Sequence, residues 1–187
     1  ISACLVGSEM CIRDRNYATI KKTDVANGPG VRVSLFVSGC THHCKGCFNS
    51  EAWDFHYGQA YTEETEQEIL QALAPDYIRG LSLLGGEPME PENRGAVLSL
   101  VKKVREQYPQ KTIWCYTGYH FDRDLLRWME EGDPVITELL PLLDVIVDGE
   151  FIEERKNLRL AFRGSENQRI LDVQLSLKEK CGKLLAV

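Results

Sequence analysis

Apolar residues along the chain follow two spacings. Short, nearly unbroken runs at Val33-Ser34-Leu35-Phe36-Val37, Gly80-Leu81-Ser82-Leu83-Leu84, Thr112-Ile113-Trp114-Cys115-Tyr116 and Val145-Ile146-Val147 have the length of strands buried on both faces. Tyr17 to Ile20 adds a shorter first strand. Between the runs the spacing becomes helical. Thr62 reads as an N-cap, with Glu63 and Glu64 in the first turn and Ile69, Leu70 and Leu73 as the buried stripe. A second helix runs from about Asn93 to Gln107, with Val97, Leu98, Val101 and Val104 on one face and Pro109 as its stop. Leu125, Leu126 and Met129 mark a third, and Val135 to Leu143 a short fourth. Strands alternating with helices predict an α/β fold with a mainly parallel sheet. After Phe151 the pattern loosens.

Ligands of such sheets bind at the carboxyl ends of the strands. Every predicted strand end here carries an unusual group: Cys40-Thr41-His42-His43-Cys44-Lys45-Gly46-Cys47, Gly85-Gly86-Glu87-Pro88, Thr117-Gly118-Tyr119 and Asp148-Gly149. Together they predict one shared rim. Because the chain spans at most about 3.5 Å per residue, the thiols of Cys40, Cys44 and Cys47 must converge on one small object. Two objects suit them: an iron–sulfur cluster with one iron not held by cysteine, or a structural zinc site with His42, His43 or His56 as fourth ligand. Phe48 and Trp53 follow the loop, where aromatic side chains would shield a cofactor or simply fill the core. Asn27-Gly28-Pro29-Gly30 forms a turn just before the strand that delivers the cysteines.

With 187 residues the chain fits one domain, and a hydrophobic content of 43% is ordinary for a globular protein. A formal charge of -6 argues against a phosphate-backbone binder, so no nucleic-acid partner is expected. No apolar run approaches a membrane span, so no membrane partner is expected either. Seven cysteines, three of them clustered, suit a cytoplasmic cofactor site better than a disulfide framework. Residues 1–15 do not match the rest of the chain: Cys4 to Arg15 resembles translated sequencing adapter. That places the natural start near Asn16, predicts a non-native or disordered tail over 1–15, and leaves 16–187 as a single domain; a genuine variable tail is the alternative.

Cys40-x3-Cys44-x2-Cys47 followed by Phe48 resembles the signature of the radical S-adenosylmethionine enzymes, and Gly85-Gly86-Glu87-Pro88 resembles their methionine-contacting turn. Asn27-Gly28-Pro29-Gly30-Val31-Arg32, Trp114-x-Tyr116-Thr117-Gly118-Tyr119 and Arg163-Gly164-Ser165-x-Asn167-Gln168 narrow the resemblance. It is to activating proteins of anaerobic, glycyl-radical ribonucleoside-triphosphate reductases, over about Asn16 to Val173. The resemblance implies a compact partial (βα) barrel of the radical SAM type. It also implies a [4Fe–4S] cluster on Cys40, Cys44 and Cys47, with S-adenosylmethionine on the open iron. Reductive cleavage of that cofactor then gives a 5′-deoxyadenosyl radical, which takes hydrogen from a glycine of the reductase large subunit. Reduced flavodoxin or a similar protein is the implied electron donor. The implied cofactor-binding residues are Gly46, Cys47, Phe48, Gly85, Gly86 and Glu87. Gly46 and Gly86 would admit close backbone approach, Glu87 would accept hydrogen bonds from the methionine ammonium, and Phe48 would pack near the adenine. Asn27 and Arg32 would support the loop. His42 and His43 are expected to face solvent, and Cys115 and Cys181 to be inert thiols. Leu84 stands where many relatives carry serine, and Glu87 where some carry aspartate. Two other readings remain: an activase of another glycyl radical enzyme, of the pyruvate formate-lyase type, and a non-enzymatic zinc-binding interaction module. An electron carrier is a poorer fit, because it has no use for an open iron.

Overall fold

The computed structural model describes residues 15–186. The expectation of a non-native or disordered tail falls, but for Arg15, outside the described residues.

The backbone forms one sheet of eight strands. In chain order these are β1 (Asn16–Asp24), β2 (Val31–Val37), β3 (Gln59–Ala60), β4 (Ile78–Gly85), β5 (Thr112–Tyr116), β6 (Val145–Asp148), β7 (Arg169–Asp172) and β8 (Lys183–Leu184). Their spatial order is β3-β1-β2-β4-β5-β6-β7-β8. β2, β4, β5 and β6 run parallel, with Val37 opposite Gly85, Leu83 opposite Cys115 and Tyr116 opposite Val147. The flanking pairs, β1 with β2 and β3, and β7 with β6 and β8, are antiparallel. The fold is therefore α/β with a parallel centre, as the alternation predicts. The sheet is open, with β3 and β8 at its edges.

Alternation along each strand divides the side chains between two faces. Val33, Leu35, Leu81, Leu83, Ile113, Cys115, Ile146 and Leu171 join the main core, which helices cover. These are α1 (Glu63–Leu73), α2 (Pro91–Gln107), α3 (Leu126–Glu130) and α4 (Pro134–Leu139). Trp114, Val145, Val147 and Ile170 point to the other face and pack with Tyr116, Phe162 and Leu185. Burial on both faces explains why the central strands read as continuous apolar runs.

Thr62 caps α1, accepting from the Thr65 N–H while the Thr65 side chain accepts from the Thr62 N–H. α2 begins earlier than its apolar stripe suggests, because Pro91 occupies the first turn, where a missing N–H costs nothing. Asp133 caps α4 through Val135 and Ile136 N–H, and Pro141 lies in the 3-10 turn Leu140–Leu142 that ends this segment. The stripe at Leu125 to Met129 opens as a π turn, Phe121–Leu125, before becoming α3. The sequence pattern misses β3, β7, β8 and a last helix, α5 (Val173–Glu179). Among the described residues no helix is long and apolar enough to cross a membrane.

Candidate functional site

The carboxyl ends of the four parallel strands open onto one cleft of about 450 Å³. That is within the usual range for small-molecule sites. Cys40 follows β2, Gly85-Gly86-Glu87 follows β4, Thr117-Gly118 follows β5 and Gly149 follows β6; each lines the cleft. The far wall is the irregular segment after Phe151. It is closed on itself by Gln168, whose Oε1 accepts from Gly164 and Ser165 N–H while its Nε2 donates to Gly149 O.

The cysteine loop is tied to its surroundings residue by residue. Gly39 and Cys40 N–H donate to Ala52 O (2.8 Å) and Trp53 O (3.1 Å). Gly86 N–H donates to Val37 O (2.7 Å) and Glu87 N–H to Gly39 O (2.8 Å), so the loop and the Gly85-Gly86-Glu87 turn share hydrogen bonds. Asn93, buried near the start of α2, donates to Ser38 O and Glu87 O, both at 2.9 Å. Thr41 donates through its N–H and its hydroxyl to Glu90 Oε1. Lys45 pairs with Glu153 and Glu154.

Cys40, Cys44 and Cys47 are free thiols. Burial pushes the Cys40 thiol up to about 12, with the nearby Glu87 carboxylate adding to the effect. Burial raises Cys44 as well. Cys40 and Cys44 hold their protons until a metal displaces them.

All eight sequence-predicted site residues, Cys40, Cys44, Gly46, Cys47, Phe48, Gly85, Gly86 and Glu87, line the cleft. Three residues with expected roles stand in surroundings the sequence does not show. Phe48 is 84% exposed at the mouth of the cleft. Glu87, expected to offer its carboxylate to a methionine ammonium, is 1% exposed and already engaged. Its Oε1 accepts from Met89 N–H (2.8 Å) and its Oε2 from Gly118 N–H (2.7 Å). His42, expected to face solvent, is turned inward, its side chain 9% exposed. Its Nε2 lies 3.2 Å from Glu87 Oε2 without the alignment of a hydrogen bond, and its Nδ1 lies 3.1 Å from Glu150 Oε1. Burial pushes the imidazole down, but the two carboxylates more than reverse this and hold it above its usual value. His43 does face outward, its ring 4.7 Å from that of Trp53.

Asn27 lines the cleft, and its carbonyl accepts from Ser82 Oγ. Arg32 lies below, fully buried, donating to Ser82 Oγ, Thr112 Oγ1, Leu81 O and Thr112 O. Cys115 is buried in the helix-covered core and Cys181 lies near the carboxyl terminus, both away from the cleft. Sequence reasoning missed Glu90 and Glu150, which hold the loop, and gave no role to Tyr119 within the motif it quoted. Glu150 directly follows Asp148-Gly149, whereas nothing local marks Glu90.

The residues suit an iron–sulfur cluster with an adjoining small molecule. Three unbridged thiols share one half-open cleft. At Gly86 a Cβ would fill the space against Gly39 O. The buried Tyr116 hydroxyl, on the cleft wall, has no partner among the described residues. Among the described residues no group of three or more His, Cys, Asp or Glu is placed to hold a single metal ion. Both ring nitrogens of His42 are turned to carboxylates, those of Glu87 and Glu150.

A model of a 4Fe-4S single cluster domain matches residues 26–171. The chain is 47% identical over 157 residues to an anaerobic ribonucleoside-triphosphate reductase-activating protein of Vibrio cholerae, covering 83% of this chain and 96% of that protein. Proteins of the same name from bacteriophage T4 and Escherichia coli K12 are 41% and 39% identical, over 83% and 82% of this chain and 92% and 96% of their own lengths.

Proposed function

Because the chain belongs to the family of anaerobic ribonucleoside-triphosphate reductase-activating proteins, with a 4Fe-4S domain, we propose that it activates such a reductase as a radical S-adenosylmethionine enzyme. Cys40, Cys44 and Cys47 would hold three irons of a [4Fe–4S] cluster, leaving the fourth for S-adenosylmethionine. When bound, the cluster would supply one electron, drawn from reduced flavodoxin or a similar donor, to split the sulfonium into methionine and an adenosyl radical that takes hydrogen from a glycine of the reductase large subunit.

The chain's own residues bind and shape. Gly85 and Gly86 present bare backbone to the cofactor side of the cleft. Glu87 fixes that turn by accepting from Met89 and Gly118 N–H. The exposed Phe48 covers the cofactor's outer side or meets the partner loop. The observation that carries the reading is the convergence of three cysteines and the Gly-Gly-Glu turn on one cleft at the carboxyl ends of parallel strands. The open sheet with this rim supports the partial (βα) barrel of the superfamily.

Anaerobic reconstitution with iron and sulfide, then electron paramagnetic resonance of the reduced protein, tests the proposal. A [4Fe–4S] signal that changes on adding S-adenosylmethionine is expected. A colourless protein that takes up zinc instead would refute it and favour a binding module. Glycyl radical formation on the ribonucleotide reductase, but not on pyruvate formate-lyase, fixes the target.

A further inference from the structure

We infer that His42 is a positioning residue, a polar bridge that sets the middle of the cysteine loop against the ends of β4, β5 and β6. Cluster and S-adenosylmethionine enter this inference through the function proposed above; the bridge itself is a property of the protein alone.

His42 lies midway between Cys40 and Cys44 and turns the opposite way from its neighbour. His43 adopts a left-handed φ of 49° and lies outside, whereas the His42 ring is buried. Through Nε2 it reaches Glu87, in the turn after β4, and through Nδ1 it reaches Glu150, just beyond β6. Its ring stands edge-on to Tyr119, centroids 4.5 Å apart, in the turn after β5. Gly118 in that turn has no room for a side chain, since a Cβ would come within 2.6 Å of the imidazole. Glu87 Oε2 accepts from the Gly118 N–H and faces this imidazole at 3.2 Å, so one carboxylate oxygen lies against two other segments.

The remaining ties of the loop's outer half are weaker. Lys45 is 76% exposed, and its pairs with Glu153 and Glu154 are solvated. Exposed pairs of this kind add little, because water screens both charges. Thr41 and Glu90 hold only the start of the loop. His42 is thus the buried anchor between the first two thiols, and it sets where Cys44 stands relative to the Gly85-Gly86 turn. Groups that stand behind metal ligands in this way typically change metal affinity or activity by about 10–100-fold when removed.

Amide hydrogen exchange on the metal-free protein reads the bridge without any cofactor. His42→Ala should speed exchange in residues 40–47 and at Gly118 while leaving β2, β4 and β5 unchanged. After reconstitution it should take up iron but lose it to a chelator on the order of tenfold faster than the parent. The spectral change on adding S-adenosylmethionine should shrink. His42→Gln, which keeps a donor directed at Glu87, should recover most of both properties. Unchanged exchange and iron loss in His42→Ala would overturn the bridge. Equal impairment of the Ala and Gln variants would also overturn it, reducing His42 to a filler of space. Should His42→Ala fail to fold, Glu150→Ala, in which only a half-exposed carboxylate is removed, decides: faster loop exchange supports the bridge and parental exchange refutes it. If the protein binds zinc and no iron, the proposed function fails while the exchange result stands.

Discussion

Gly86→Ala offers the sharpest test of how the cofactor turn and the cysteine loop fit together. A Cβ at this position would stand 2.5 Å from Gly39 O, 2.9 Å from Ala52 O and 3.0 Å from Gly39 C. All three are backbone atoms, so no side-chain rotation relieves the clash. The turn and the loop must separate by about 0.9 Å, the difference between 2.5 Å and the 3.4 Å of ordinary contact. That movement strains the hydrogen bonds from Gly86 N–H to Val37 O and from Glu87 N–H to Gly39 O. Overpacking of this kind costs about 1–3 kcal/mol, and each weakened hydrogen bond adds up to about 1 kcal/mol. In a chain of this size each kcal/mol lowers Tm by about 2–4 °C, so a fall of about 2–20 °C is expected. The effect on chemistry should be larger, because a misplacement near 1 Å costs on the order of 100-fold. The assay is release of methionine and 5′-deoxyadenosine under reduction, beside calorimetric melting. Gly46→Ala supplies the contrast. Its Cβ would meet the half-exposed Glu153 carboxyl, which can swing away, and the left-handed φ of 72° costs about 1–2 kcal/mol. A Gly86→Ala protein that melts and cleaves like the parent, or is hurt less than Gly46→Ala, would refute the close-approach argument.

Alanine at Cys40, Cys44 or Cys47 singly should abolish cofactor cleavage, whereas Cys115→Ala should keep iron and cleavage and lose about 1 kcal/mol of stability; iron analysis of the four variants checks this. Arg32→Ala removes a fully buried guanidinium with four hydrogen bonds. The cavity and the stranded acceptors should cost about 3–5 kcal/mol in urea unfolding, and a loss below about 1 kcal/mol would contradict the geometry. Phe48→Ala should leave stability within about 0.5 kcal/mol, since the ring is already in water, while lowering glycyl radical yield on the reductase; an unchanged yield would remove Phe48 from the working surface. Burial pushes the Asp24 carboxyl up, but hydrogen bonds from Ser34, Ala26 N–H and Asn27, with Lys21 nearby, more than reverse this and hold it below its usual value. Its contribution is therefore complete above the ordinary carboxylate range and lost as pH falls through the depressed pKa. Asp24→Asn should narrow the stability difference from the parent as the medium is acidified; a gap that widens in acid would reverse the sign.

The parallel centre of the sheet was legible because its strands are buried on both faces and leave unbroken apolar runs. The cysteine loop and the Gly-Gly-Glu turn were legible because their residues are close in sequence. The antiparallel flank was not. β3 and β8 have two residues each, too few to show alternation, and β7 ends where α5 begins, at Asp172, which caps that helix by accepting from Leu175 N–H. The inward turn of His42 was hidden for a different reason. Nothing between Cys40 and Cys44 distinguishes it from His43; its carboxylate partners come from residues 87 and 150, and only the assembled sheet brings them together. The surroundings of Glu87 were hidden in the same way, since one of its donors, Gly118 N–H, comes from another strand end.

The loop that carries the thiols is local, but the cleft beside it is not. Cys40 to Cys47 fall within one short stretch, whereas the opposite wall is drawn from residues as distant as Gly149, Phe162 and Gln168. Closing those long-range contacts is the slow part of folding a parallel sheet. A chain caught before β6 docks would already present its thiols to iron, yet would offer the second cofactor no wall to lie against. Iron content and colour would then overstate the native fraction of a preparation. On the proposed function, the response to S-adenosylmethionine would count only molecules whose sheet is complete, and so would serve as a folding probe for the whole domain as much as an assay of its chemistry.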